Sequence, residues 1–408
     1  MPSNLRVERA EISLVRLLGI SISARFLIDT VAQLFNPFLT IFAIGLGVDV
    51  VTLGRLLSLR LIIGIFTPIM GALADRHGYR RIMRLALLCV IAGLLLVGSS
   101  RGMLMLVAGM VALGVGQAGF VPTLQAYLSA RLPYAIRARG LGILEYSWAL
   151  AGIGGLFFVG VLIERTDWRT PFFVLAGGLG CIWLLFSVLP ATDLAQPGAA
   201  ATMPTRASRY PRGLQFFDLG RRARSAYSAI FAGALLFFAG MQLMVVYGVW
   251  LNTKYDLGPS ALGSVALLMG CFDLVASVSV SLFTDRIGKR RSVLLGTAGM
   301  ALSYLLLPFL NSSLWVVVLG IALTRGFFEF GIVSQLSLLS EQVPDQRGKL
   351  MSLSAAVVMI GGALANLTGP WIYVQYGVAG LCVSSVAALG VSLILLIMCV
   401  REPQEDAN

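Results

Sequence analysis

The chain has 408 residues, 58% of them hydrophobic and only 12% charged, and its mean hydropathy of +0.87 excludes an ordinary water-soluble domain. An excess of 31 Lys and Arg over 19 Asp and Glu would suggest nucleic acid as a partner of a soluble protein. Here nearly all the basic residues fall between apolar runs, in alternate loops, so they report orientation in a bilayer and no nucleic-acid partner is expected.

A helix crosses the hydrocarbon layer with about 20 apolar residues. Runs of that length predict spans near 17–43, 51–74, 83–99, 103–127, 140–163 and 170–189. Residues 190–225 carry Pro190, Pro197, Pro204 and Pro211 and six arginines from Arg206 to Arg224, the composition of a linker. Six further spans are predicted near 226–252, 259–284, 292–310, 314–341, 349–373 and 378–400. The expected layout is therefore an N-terminal stretch (1–16), a bundle over 17–189, a linker (190–225), a second bundle over 226–400 and a tail (401–408). With the N-terminus inside, 23 of the 31 basic residues lie in inside segments, which predicts that both termini and the linker are cytoplasmic. The first stretch lacks an apolar core followed by a small-residue cleavage site, so no removable signal peptide is expected. Cys89, Cys181, Cys271, Cys382 and Cys399 fall in apolar runs without paired spacing and read as small core residues. His77 is the single histidine, so neither a histidine-based metal site nor a catalytic triad is expected, and no cofactor.

One turn is written twice. Gly71-Ala72-Leu73-Ala74-Asp75-Arg76-His77-Gly78-Tyr79-Arg80-Arg81 closes the second run, and Ser281-Leu282-Phe283-Thr284-Asp285-Arg286-Ile287-Gly288-Lys289-Arg290-Arg291 closes the eighth. Each copy has an apolar helix end, an Asp-Arg pair, a Gly for a tight reversal and a basic cluster. Such duplication implies a duplicated domain. Physically, an Asp at a helix end can accept from the exposed N–H groups at the start of another helix, and arginines can pair across a bundle interface. The competing reading is that the basic clusters only anchor the loops at an anionic lipid surface.

Twelve spans in two halves, with this turn after span two and its echo after span eight, resemble the major facilitator superfamily of secondary transporters. The resemblance implies an all-α integral membrane fold of twelve transmembrane helices in two pseudo-symmetric six-helix bundles, rocking around a central cavity. It also implies that the first turn is a conformational latch, holding the outward-open arrangement by bridging the halves on the inner side. The expected latch residues are Gly71, Asp75, Arg76, Gly78, Arg80 and Arg81, with Asp285, Arg286, Gly288 and Arg290 in the second copy, where Ser281 replaces the leading Gly.

Charges within spans cost at least roughly 2.5 to 3.5 kcal/mol on insertion scales, so they face a cavity or a partner. Arg25 and Asp29 stand i, i+4 on one face of span one, and Arg325 and Glu329 repeat that spacing in span ten. Asp273 lies near mid-depth in span eight and Arg60 nearer the outside in span two. These six are the candidates for proton coupling or the substrate cavity, against the alternative that the two i, i+4 sets are permanent neutral pairs. Glu145, close to the inner surface, is expected to pair with a loop arginine. Gln33, Asn36, Gln117, Tyr146, Gln242, Tyr247 and Trp250 are candidate cavity-lining residues, although each also suits packing between helices. Antiporters of the resembled superfamily often carry Gly-Pro ahead of the double glycine of span five, where this chain has Leu150-Ala151 before Gly154-Gly155, and the family's span-four arginine is Met110 here. Both departures weaken a drug-proton antiporter reading.

The expected function is a secondary transporter working by alternating access, proton-coupled and exporting a small apolar or amphipathic organic compound. The alternative is an importer or uniporter of an anionic metabolite held by Arg60 or Arg325. A receptor or scaffold would call for a large soluble domain, which the layout lacks. There is no Gly-x-x-x-x-Gly-Lys phosphate loop and no nucleophile-base set, so an enzyme is not expected. The partners expected are a small-molecule substrate, protons and the lipid bilayer, for a monomer in the cytoplasmic membrane.

Overall fold

The computed structural model describes residues 14–132, 134–188, 219–310, 313–343 and 346–401. Most of the expected linker therefore lies outside the described residues. The chain begins with α1 (Leu14–Gln33) and α2 (Phe35–Leu46), bent by 56° at Leu34. Next come α3 (Val50–Ile62) and α4 (Thr67–His77), separated by a 3-10 turn at Ile63–Phe66, then α5 (Tyr79–Gly98) and α6 (Met103–Arg131). The fifth span is α7 (Tyr134–Leu150) and α8 (Phe157–Arg165), joined by a π-helical segment at Ala151–Leu156, and α9 (Thr170–Val188) completes the first bundle. The second bundle has α10 (Ala223–Tyr255), α11 (Pro259–Ile287), α12 (Lys289–Leu306), α13 (Leu314–Gln342) and α14 (Arg347–Met398).

Among the described residues nine helices are long and apolar enough to cross a bilayer, ten when α1 and α2 count as one span. At 1.5 Å per residue α14 would measure about 78 Å, far beyond a hydrocarbon layer of about 30 Å. It is broken at Gly377, whose φ of 64° and ψ of −162° leave the helical region. Divided there, and with the 18-residue α12 included, the helices make the twelve-span, two-bundle architecture.

The two copies of the repeated turn share one backbone. Gly78 has φ 89° and ψ 133°, Gly288 φ 96° and ψ 140°, a region that side-chain-bearing residues rarely enter. Each glycine amide donates to the carbonyl four residues back, Ala74 at 2.9 Å and Thr284 at 3.0 Å, and both of those residues are buried. The glycine thus ends one span and starts the next without an intervening loop. We call the membrane face with these turns the basic face and the opposite one the far face.

The bundles touch along the half of the membrane toward the far face. There α3 packs on α14, α8 and the π-helical segment on α11, and α2 on α10. Backbones approach closely enough that a Cβ on Gly248 would collide with the Pro37 carbonyl oxygen, and one on Gly160 would lie 2.5 Å from that of Pro259. A Glu164 carboxylate oxygen accepts from the Ser260 amide at 2.9 Å, so the end of α8 caps the start of α11 across the interface. On the basic face, by contrast, α4 packs on α5 and α6 of its own bundle. The protein is closed at the far face.

The cysteines are free, but the expectation that they are core residues holds fully only for Cys382; Cys181 is exposed and the other three are half-buried. In a bilayer, an exposed thiol on an apolar helix such as α9 faces lipid, which burial-based reasoning from the sequence does not separate from the core.

Candidate substrate and coupling site

Where the spans bend, a narrow space of about 20 Å³ lies between the bundles, lined by Gln33, Asn36, Trp148, Gly152, Leu156, Met241, Met244, Tyr247, Ala266, Met269, Gly270, Asp273 and Arg325. The bend after Gln33 and the π-helical segment both fall here, and such bulges recur at functional sites because they re-aim backbone and side chains. The wall is mostly apolar and aromatic, with the polarizable thioethers of three methionines, while the first bundle contributes the polar Gln33 and Asn36 and the second Asp273 and Arg325.

Arg325 is the centre of the charged groups here. Its Nε and Nη2 donate to the two oxygens of Asp273, each at 2.7 Å, and Nη2 lies 3.7 Å from a Glu329 oxygen. Ser277 donates to Glu329 at 3.2 Å. The i, i+4 pair with Glu329 therefore exists, but the parallel two-bond contact is with Asp273 on α11, the geometry that suits a guanidinium fork best. In the first bundle Arg25 Nε donates to both Asp29 oxygens at 2.9 and 2.8 Å. Arg25 Nη2 also reaches Glu145 at 3.6 Å, and Gln125 donates to that carboxylate at 2.7 Å. Glu145 thus meets an intramembrane arginine, not a loop arginine as expected: α1 and α7 pack together and bring Arg25 to it. Each bundle holds one arginine between two carboxylates.

Arg60 is different. Its Nη2 donates to the Ala32 carbonyl at 2.8 Å and its guanidinium lies 5.6 Å from the Phe35 ring. Nε and Nη1 are buried without a hydrogen-bond partner.

Of the expected lining residues, Gln33, Asn36 and Tyr247 border the space; Gln33 also donates to the Trp148 carbonyl at 3.0 Å, tying α1 to α7. Gln242 does not border it. It is buried inside the second bundle, donating to Thr368 at 3.1 Å and accepting from Ser385 at 3.0 Å. Trp250 borders a far-face cleft with Lys254 and Tyr373, Tyr146 is 37% exposed, and Gln117 has a buried amide nitrogen without a partner; none of the three borders the central space. Nothing in the sequence marks Ser277, or the three methionines of the apolar wall.

The latch residues do not bridge the bundles in this conformation. Asp75 is exposed and accepts from the Tyr79 hydroxyl at 2.6 Å, Arg76 and Arg81 are exposed, and open space surrounds Gly71. Arg80 donates to the Ser187 carbonyl of its own bundle. In the second copy Asp285 and Arg286 are exposed, Lys289 pairs with Glu341, and Arg290 donates to the carbonyls of Leu396 and Ile397.

The family model described as Major Facilitator Superfamily matches residues 22–279 and 229–408, which together span nearly the whole described fold and both copies of the turn. The chain belongs to the Major Facilitator Superfamily. Among relatives of this MFS transporter, the uncharacterized MFS-type transporters YwfA and YceJ of Bacillus subtilis (strain 168) are each 27% identical to it, over 87% and 86% of this chain and 85% and 87% of their own lengths. The crystal structure of a D-xylose-proton symporter superposes with a TM-score of 0.74 at 14% identity, covering 95% of this chain and 98% of that one, a likeness of fold alone. The protein is a multi-pass membrane transporter of the superfamily.

Proposed function

We propose that this transporter is proton-coupled and exports a small apolar or amphipathic organic compound by alternating access. The observation that carries the reading is the pair of charge sets, one in each bundle: Arg25 with Asp29 and Glu145, and Arg325 with Asp273 and Glu329. With every group ionised each set sums to −1. An uncompensated charge in the membrane interior is costly, so the second set, with Asp273 buried, favours gaining one proton, and losing it is favoured when the site opens to water. In the first set the Glu145 side chain is 54% exposed, and the buried Asp29 is the group that burial presses to take a proton. The second set borders the central space, where occupation by a solute and protonation compete or cooperate through Asp273 and Arg325. Glu329, held by one hydroxyl and a longer contact to Arg325, is the carboxylate freest to exchange its proton. On this reading the basic face is cytoplasmic, the structure is the inward-open state, and the turn at Asp75 latches the opposite state.

A second reading rests on Arg60. Its two unpartnered buried N–H-bearing nitrogens and the lack of a paired carboxylate suit an anionic solute, taken up by an importer or uniporter.

Ligand-induced thermal stabilisation of the purified protein, at acid and alkaline pH, separates the two. Stabilisation by apolar or cationic compounds that depends on pH, and loses that dependence in Glu329→Gln, supports the proton-coupled exporter. Stabilisation by organic anions alone, abolished in Arg60→Gln, replaces it with the second reading.

A further inference from the structure

At the basic face, beside the first repeated turn, a cleft of about 380 Å³ opens between α5 and α9. Among the described residues its polar wall is His77, Arg80, Arg81, Arg84 and Trp183, with no carboxylate. The Arg84 guanidinium lies 4.3 Å from the Trp183 ring centroid, a stacking that fixes both side chains. Arg84 Nε and Trp183 Nε1 are each buried and without a hydrogen-bond partner. Leaving two N–H donors dry and unpaired is unfavourable, so this wall is complete only when an acceptor occupies it.

The second copy of the turn shows what a self-sufficient version looks like. There Lys289 has Glu341, and Arg290 has two carbonyls at the end of α14. Among the described residues the first copy has no such carboxylate: Arg80 donates to the Ser187 carbonyl and Arg81 is exposed. One and two turns deeper along α5, Leu85 and Leu88 border the same cleft and are 50% and 42% exposed. The cleft therefore has a cationic mouth at headgroup level and an apolar floor that descends into the hydrocarbon.

We propose that this cleft is a binding site for an anionic phospholipid, its phosphate accepting from Arg81, Arg84 and the Trp183 indole and an acyl chain lying along Leu85 and Leu88. A phosphate takes several charge-assisted hydrogen bonds at once, and a basic cluster at the membrane surface gains about 1 kcal/mol per Lys or Arg from anionic lipid.

Native mass spectrometry of the full chain in detergent, titrated with phosphatidylglycerol and with phosphatidylcholine, tests it. The wild type is expected to retain phosphatidylglycerol preferentially, with affinity falling about fivefold in Arg81→Gln and in Arg84→Gln, and falling in Trp183→Phe, which keeps an aromatic ring but has no N–H. Arg81 is exposed, so its variant gives the readout even where Arg84→Gln does not fold. Equal binding of the two lipids, or unchanged affinity in Arg81→Gln, overturns the proposal. Displacement of phosphatidylglycerol by millimolar inorganic phosphate also overturns it, reassigning the cleft to a soluble anion.

Discussion

Arg325 Nη2 lies 2.7 Å from one carboxylate, Asp273, and 3.7 Å from another, Glu329, so a single nitrogen is shared unequally between two acids on two helices. The unequal sharing means that the two acids are not interchangeable. Asp273→Asn leaves Arg325 a second carboxylate to turn to, whereas Arg325→Gln leaves the buried Asp273 and the half-buried Glu329 without their shared counter-ion. Breaking a buried pair from one side typically costs about 3–5 kcal/mol. Arg325→Gln is expected to lower thermal stability in detergent by that order and Asp273→Asn by clearly less; equal losses would show that Glu329 offers no relief.

Asp29 occupies the corresponding place in the first bundle, with both oxygens on Arg25 Nε. If the proton is carried there, Asp29→Asn in proteoliposomes abolishes accumulation driven by a pH gradient while solute exchange persists. Undiminished uphill transport by the variant would exclude Asp29 and leave the second bundle as the coupling site.

In this conformation Asp75 accepts from the Tyr79 hydroxyl of its own bundle, so Asp75→Asn should leave the far-face-closed state intact and weaken the state opposed to it. The loss of one hydrogen bond to a charged group, about 1.5 kcal/mol, amounts to roughly a tenfold shift in population. A thiol placed by Tyr146→Cys, exposed in the present state, is expected to label correspondingly faster in the Asp75→Asn background. Unchanged labelling together with wild-type transport would remove the latch role.

Gly248 offers the converse perturbation. A Cβ there would collide with the Pro37 carbonyl oxygen, so Gly248→Leu is expected to penalise far-face closure by about 1–3 kcal/mol. Spin labels at Val48 and Leu257 should report longer distances than in the wild type, and transport should fall because one end state is lost. A distance distribution unchanged by the substitution would mean that closure does not depend on this approach.

Asp49 caps α3, accepting from the Thr52 amide at 2.8 Å and its hydroxyl at 2.6 Å. The hydroxyl first, then the amide, holds the Asp49 carboxyl below the ordinary aspartate value. A carboxyl depressed in the folded state contributes stability that is present above its unfolded value, about 3.9, and is lost as pH falls through the folded value. Asp49→Ala is expected to cost about 1 kcal/mol near neutral pH, with the gap to wild type closing in acid; a gap of constant size across that range would assign the loss to something other than the carboxylate.

The sequence carried the spans well, because a bilayer imposes a length of apolar chain that few other constraints can mimic. It also carried the repeated turn, since Gly78 and Gly288 occupy a backbone region that almost demands glycine. Contacts within one turn of helix, Arg25 with Asp29 and Arg325 with Glu329, were readable from spacing. The bidentate contact of Arg325 with Asp273 was not, because 52 residues and a helix packing angle separate them and no periodicity encodes that distance. Gln242 and Trp250 misled for a related reason: a polar or amphipathic side chain in a span must find a partner, and the sequence does not say whether that partner is a neighbouring helix or a solute. The face on which the bundles close was also out of reach, since one sequence encodes both end states.

The net charge of −1 in each arginine-centred set has an electrical consequence. A set that crosses from one face to the other empty-handed moves a charge through the transmembrane voltage, and a protonated one does not. One elementary charge is worth about 2.3 kcal/mol per 100 mV, enough for roughly a fiftyfold concentration ratio of a neutral solute. Under the proposed scheme voltage alone, with no difference in pH, drives accumulation, and turnover registers as a current.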